Sequence, residues 1–241
     1  GGIFMEKVKK TFFTAKNITY IAVFAALIIV LQMCSSFIKI GATSFSFVLV
    51  PIVLGGMLMG VSVGAALGAL FGVIVLVAAL AGLDPFTLYL LGENPAFTVF
   101  LCLIKGIAAG VVPALLYNLV SKKNRYVAVF VAAASAPIMN TGLFIAGAFI
   151  ISGTVGDAMT SLGVDISGLS PFYIILVLCV GVNFFVEFAI NLICSPAIYT
   201  VNRVIEKQIS RNRKSVPATG KKGDEGASNA PEIRDNNDNL S

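Results

Sequence analysis

The chain has 241 residues, of which 57% are hydrophobic and 12% are charged. Soluble domains carry about 25% charged residues, so this composition excludes a water-covered globular surface and indicates lipid as the main solvent. Only ten of the 184 residues from Asn17 to Thr200 are charged. Histidine is absent and the cysteines have no metal-ligand spacing, so we expect no metal site, no cofactor and no histidine-based catalysis.

Long apolar segments follow one another, and each must be helical because lipid cannot hydrogen-bond backbone groups. The six predicted spans are Asn17–Ser36, Phe45–Met59, Val61–Leu83, Ala96–Val120, Tyr126–Ser152 and Phe172–Val201. A crossing needs about 20 residues, so the second span is short, and it could be tilted, re-entrant or extended by Thr43 and Ser44. The predicted fold is all-α, an integral membrane bundle of six transmembrane helices over 17–205. A cytoplasmic segment 1–16 precedes it and a cytoplasmic tail 206–241 follows it.

Basic residues predict the orientation, because the cytoplasmic flanks of spans carry an excess of lysine and arginine. The flanks on the other side contain only Lys39. One side contains Lys7, Lys9, Lys10, Lys16, Lys122, Lys123, Arg125, Arg203, Lys207, Arg211, Arg213 and Lys214. Both ends are therefore predicted to be cytoplasmic. We expect the basic stretch 203–214 to contact anionic lipid or a protein partner, and the polar tail after Lys214 to be disordered.

Small residues recur at a spacing of four in two regions. Alanines at positions 22 and 26 share one face of the first span. The second region is a glycine ladder formed by Gly56, Gly60, Gly64, Gly68 and Gly72. Such faces let helix backbones approach closely. The ladder is interpreted as tight helix packing, with a smooth surface for docking or sliding as the alternative.

Polar side chains inside the spans are the candidates for a site. A charge in a span costs at least about 2.5 kcal/mol, so Lys105 and Glu187 should face the bundle interior and find partners. Asn183, Glu187 and Asn191 are four residues apart and share one face, and Asn140 lies in the fifth span. Two interpretations stay open: Lys105 and Glu187 pair with each other, or Lys105 holds an anionic group of a ligand.

The outer loop from Asp84 to Pro95 offers further candidates, Glu93 and Asn94. The Asn94-Pro95 pair can start the fourth span. The loop is either a plain turn or a gate over an outward-facing pocket.

These features resemble the substrate-binding S component of energy-coupling-factor (ECF) transporters, in particular its members without an assigned substrate. The resemblance covers about residues 16–205. The motifs that carry it are short and apolar: Ala22 with Ala26, Pro51–Gly72, Gly92–Pro95, Lys105-Gly106 and Pro137–Gly142.

The resemblance implies a prokaryotic cell-membrane protein that binds a water-soluble vitamin or related micronutrient and is not an enzyme. It implies a membrane T subunit, on which Ala22 and Ala26 dock, and two ATPase subunits. The residues expected to contact the substrate are Lys105, Asn140, Asn183, Glu187, Glu93 and Asn94. A lysine suits a carboxylate, so pantothenate is the leading substrate, ahead of biotin, folate-like, queuosine-like and pyrimidine compounds.

Two other functions stay open. A stand-alone channel or facilitator for small solutes would work without ATPase partners. A membrane scaffold or enzyme would need a catalytic constellation that the sequence does not contain. Nucleic-acid binding is not expected.

Overall fold

A computed structural model of the protein describes residues 15–36, 39–40, 43–44 and 47–214. Two compact units divide the chain, Gly1–Glu206 and Lys207–Ser241, and the first carries the bundle. The tail predicted to be disordered, after Lys214, lies outside the described residues.

The described residues are almost entirely helical. Two short strands, β1 (Lys39–Ile40) and β2 (Thr43–Ser44), pair antiparallel. The helices are α1 (Ala15–Ser36), α2 (Leu49–Met59), α3 (Val61–Leu80), α4 (Pro85–Glu93), α5 (Pro95–Val120), α6 (Arg125–Ile150), α7 (Ser152–Ser161), α8 (Pro171–Tyr173) and α9 (Gly181–Lys214). A π-helical segment, Ile174–Val180, joins α8 to α9.

Five helices, α1, α3, α5, α6 and α9, are long and apolar enough to cross a membrane. The predicted all-α membrane bundle is therefore confirmed, whereas the count of six spans and the cytoplasmic ends stay predictions. Within the second predicted span the helix is α2, with only 11 residues. It ends at Gly60, whose φ of 98° lies in the left-handed region that glycine adopts at little cost.

Two predicted outer loops contain short helices instead. In α4, Pro85 occupies the first turn, where its missing N–H costs nothing. Asp84 caps this helix: one carboxylate oxygen accepts from the Thr87 N–H at 3.1 Å and the other from the Thr87 hydroxyl at 2.6 Å. The other short helix, α7, buries Val155 and Met159 against its neighbours.

The glycine ladder packs α3 directly on the backbone of α5. A Cβ on Gly68 would collide with the carbonyl oxygen of Gly106, and one on Gly64 with that of Gly110. A Cβ on Gly72 would lie 2.6 Å from the carbonyl oxygen of Cys102. The interpretation as tight helix packing is confirmed for this face, which is covered within the chain and is therefore not open to another subunit.

Two hydrophobic clusters surround this contact. The larger one draws mainly on α1, α2, α3, α5 and α6 and includes Ile28, Ile52, Leu67 and Val129. The second draws on α4, the end of α6, α7 and the π-helical segment, and includes Phe86, Met159 and Ile175. The candidate site takes residues from both clusters.

Candidate ligand-binding site

A cavity of about 90 Å³ lies where the two hydrophobic clusters meet. Residues from nearly every long helix of the bundle contribute to it. It is lined by Gln32, Phe71, Val75, Asp84, Phe86, Thr87, Lys105, Asn140, Thr141, Phe144, Cys179, Val180, Asn183, Phe184 and Glu187. Four of the six residues predicted from the sequence to contact substrate are among them: Lys105, Asn140, Asn183 and Glu187.

Lys105 brings a positive charge to the cavity from the middle of α5. Its Nζ lies 5.5 Å from the centroid of the Phe144 ring on α6. An ammonium over an aromatic face is attracted by the negative face of the ring, by about 0.5–2 kcal/mol. The next residue, Gly106, lies in the backbone contact with Gly68. The helix that carries Lys105 is therefore fixed against α3 at this level.

The polar face predicted on the last span lies inside the bundle. Asn183 and Glu187 line the cavity, and the Glu187 side chain is only 2% exposed. Asn191 is fully buried one turn further along, and its amide donates to the Glu187 carbonyl oxygen at 2.9 Å. Lys105 and Glu187 thus face one cavity. Two interpretations of the lysine stay open: it pairs with Glu187, or it binds an anionic group of a ligand.

The amide groups of Asn140 and Asn183 in the cavity lining each have an acceptor without a hydrogen bond. The Oδ1 atoms of Asn140 and Asn183 are buried and accept no hydrogen bond from any residue that the structure describes. A buried acceptor without a donor costs about 1–3 kcal/mol. The cavity therefore offers acceptors on α6 and α9 as well as the cation on α5.

The short helix α4 closes one wall of the cavity. Phe86 is 2% exposed and its ring packs on Phe144, with 6.2 Å between centroids. The Thr98 hydroxyl of α5 donates to the Leu90 carbonyl oxygen at 2.9 Å, which ties α4 to α5. The cap of α4, Asp84 with Thr87, also belongs to the lining.

Sequence reasoning missed several lining residues, notably Gln32, Asp84 and Thr87. Asp84 and Thr87 belong to a segment that the sequence predicts to be a loop. Gln32 could have been found from spacing, because Phe24, Ile28 and Gln32 lie four residues apart on the buried face of α1.

A family model described as the substrate-specific component of ECF transporters matches residues 16–199. The chain belongs to this family. The matched part runs from the start of α1 into α9 and includes every residue that lines the cavity. No protein with a curated description matches the chain. The resemblance seen in the sequence is confirmed, and S components, as this family's members are called, are transporter subunits and not enzymes.

Two of the expected substrate contacts in this S component lie away from the cavity lining. Glu93 is exposed at the end of α4. The Asn94 amide donates to the Thr154 hydroxyl at 2.9 Å and so links the start of α5 to α7. Pro95 occupies the first turn of α5, as predicted from the Asn-Pro pair. A role of Glu93 or Asn94 in substrate binding stays a prediction.

The predicted docking face of the S component lies on the outside of the bundle. Ala22 and Ala26 are exposed on α1, whereas Phe24 and Ile28 of the same helix are buried. Ala25 packs against the core. In the part of the chain that the structure describes, Ala22 and Ala26 are therefore exposed where lipid or a partner subunit can contact them.

Proposed function

We propose that this S component captures a water-soluble vitamin or related micronutrient that carries a carboxylate, and that Lys105 binds this carboxylate. The observation that carries the proposal is the position of Lys105, a cation inside a membrane bundle whose Nζ lies over Phe144 at an internal cavity. A carboxylate in this low-dielectric setting gains a strong charge-assisted hydrogen bond. Glu187 lines the same cavity and shares the lysine with the ligand.

Pantothenate is the leading candidate substrate, because it has a carboxylate at one end of a flexible polar chain. Sites for ligands of drug size have volumes of about 300–1,000 Å³, and the cavity measures about 90 Å³. Its walls must therefore move apart to admit such a ligand. The wall formed by α4 is tied to α5 by the hydrogen bond from the Thr98 hydroxyl to the Leu90 carbonyl oxygen, and we expect this wall to move first.

The identity of the ligand is tested by mass spectrometry of small molecules retained by the purified protein. The role of Lys105 is tested by Lys105→Ala with radiolabelled pantothenate. We expect at least a tenfold weaker affinity, about 1.4 kcal/mol. Lys123→Ala, which removes an exposed lysine between α5 and α6, is the control. Unchanged affinity of a folded Lys105→Ala variant would remove the lysine from the site.

We propose further that the S component delivers its cargo through a membrane T subunit and two ATPases, and that it docks by Ala22 and Ala26. Small side chains suit a contact that must form and break, because no deep interdigitation has to be undone. A large side chain at either position should prevent close approach of the partner helix.

The docking proposal is tested by co-purification with the T subunit and ATPases. Ala22→Trp and Ala26→Trp should abolish the complex. Leu27→Trp is the control, because Leu27 is 43% exposed on α1 and lies about 100° around the helix from Ala26. A complex that survives both alanine substitutions contradicts the proposed face. Transport by this protein alone in liposomes would instead favour the stand-alone facilitator.

A further inference from the structure

Several side chains of the cavity lining present acceptor oxygens to the cavity. Carboxylates and amides contribute acceptor oxygens at Asp84, Asn140, Asn183 and Glu187. The Thr87 hydroxyl already donates to Asp84. Lys105 contributes the only cationic donor among the lining residues that the structure describes.

The amide oxygens of Asn140 and Asn183 are two acceptors of the lining that no described residue uses. Both are buried, and no described residue donates to either. An apolar side chain of similar size at these positions would avoid the cost of an unmet acceptor. In the unliganded bundle, these two oxygens therefore lower the stability and form no hydrogen bond that would offset this loss.

We infer that the ligand carries hydrogen-bond donors, hydroxyl or amide N–H groups, that pair with Asn140 and Asn183. This inference rests on the proposed function for the other end of the ligand, the carboxylate at Lys105. Rotation of a terminal amide is easy, because the last torsion of asparagine is broad. Each oxygen can thus turn into the cavity when a donor arrives there.

The position of the asparagines places these donors near the carboxylate. Asn140 and Phe144 lie one turn apart on α6, and Phe144 carries Lys105 over its ring. Asn183 and Phe184 line the cavity from α9. The ligand class is therefore a compact acid with polar hydrogens along its chain, and acids without N–H or O–H donors are poor ligands.

The first test uses the unliganded, full-length protein and compares thermal unfolding of Asn140→Leu and Asn183→Leu with the wild type. We expect both variants to unfold at the same temperature as the wild type or higher, because each loses an unmet buried acceptor. A midpoint lower by several degrees would show that the amide supports the fold, and would overturn the inference for that residue.

The second test compares biotin with lipoate as probes, because both have a pentanoate chain on a ring and only the biotin ring has N–H groups. We expect pantothenate and biotin to raise the unfolding temperature of the wild type and lipoate to leave it unchanged. Asn140→Leu and Asn183→Leu should weaken the donor-bearing probes about tenfold or more. Asn202→Leu is the matched control, since Asn202 is buried on α9 outside the lining.

The outcomes separate the two proposals. Equal stabilisation by lipoate and biotin, lost in Lys105→Ala, would overturn the donor inference and leave the carboxylate site intact. Failure of every carboxylate to stabilise the wild type would overturn the proposed function. Lower unfolding temperatures of the two unliganded asparagine variants would overturn the donor inference independently of that result.

Discussion

Replacing Gly68 by alanine tests whether the backbone contact between α3 and α5 holds the bundle together. The new Cβ would collide with the carbonyl oxygen of Gly106, and it would lie 2.7 Å from the carbonyl carbon and 3.1 Å from the Cα of Ile107. These are backbone atoms and cannot rotate away. Carbon atoms pack best about 3.5–4.0 Å apart, so the two helices must separate by roughly 1 Å.

Overpacking of this kind typically costs about 1–3 kcal/mol. For a chain of this size, each kcal/mol lowers the unfolding temperature by about 2–4 °C. We therefore expect a decrease of about 2–12 °C in detergent. A thiol-reactive fluorophore can report it as a rise above the signal of the exposed Cys34, because the thiols of Cys102 and Cys179 are buried in the folded protein. Since Lys105 precedes Gly106, ligand affinity should fall as well.

Gly142→Ala is the matched control for this experiment. Gly142 lies within α6, is exposed and has nothing within 4 Å of an added Cβ. Alanine is favoured over glycine inside a helix by about 0.5–1 kcal/mol, so this variant should be as stable as the wild type or more stable. An equal unfolding temperature for Gly68→Ala and Gly142→Ala would refute the packing argument.

Three further structural features are tested by substitutions in the same unfolding assay. Gly60→Ala should destabilise by about 1–2 kcal/mol although the space is open, because the φ of Gly60 is 98°; stability equal to Gly142→Ala would contradict this. Asp84→Ala should lower the free energy of unfolding by about 0.5–2 kcal/mol through loss of the α4 cap. Asp84→Asn should keep most of the stability that the cap provides. Equal losses in the two variants would show that the cap is not the cause. Tyr117→Phe should cost about 1–3 kcal/mol, because the buried Asn202 amide donates to the tyrosine hydroxyl at 2.8 Å. Adding Asn202→Leu to the Tyr117→Phe variant should then restore part of the lost stability. A double variant no more stable than Tyr117→Phe would show that the hydrogen bond is not the source of the loss.

Hydropathy predicted the bounds of α1, α3, α5 and α6 to within a few residues, because a lipid environment leaves helical backbone as nearly the only choice. The last span, predicted over Phe172–Val201, is instead the π-helical segment followed by α9, which begins at Gly181 and ends at Lys214. α5 begins at Pro95 and α6 ends at Ile150, close to the predicted Ala96 and Ser152. The interior position of Lys105 and Glu187 was predictable for a similar reason, since a charge facing lipid is too costly. Glycine spacing predicted a close helix contact for the same chain segment.

The partner of the glycine ladder was not predictable, because a spacing of four shows which face is small and not which helix covers it. The structure assigns that face to α5 and leaves the alanine face of α1 uncovered. The short helix α4 was missed as well. Its nine residues are too few to show a clear period, and its stability comes from a cap and from Phe86 packed on Phe144.

The sequence by itself determined the solvent of this protein, its helical class, its family resemblance and the polar residues that lie inside the bundle. These properties follow from the free energy of transferring side chains into lipid and from the spacing of residues within one segment. Each segment therefore determines them without the rest of the chain. Only the tertiary structure decided that Gln32 and Asp84 join Lys105 at one cavity and that Glu93 and Asn94 do not. Which residues line the cavity depends on how separate helices pack against each other, and this packing is set by contacts between residues far apart in the chain.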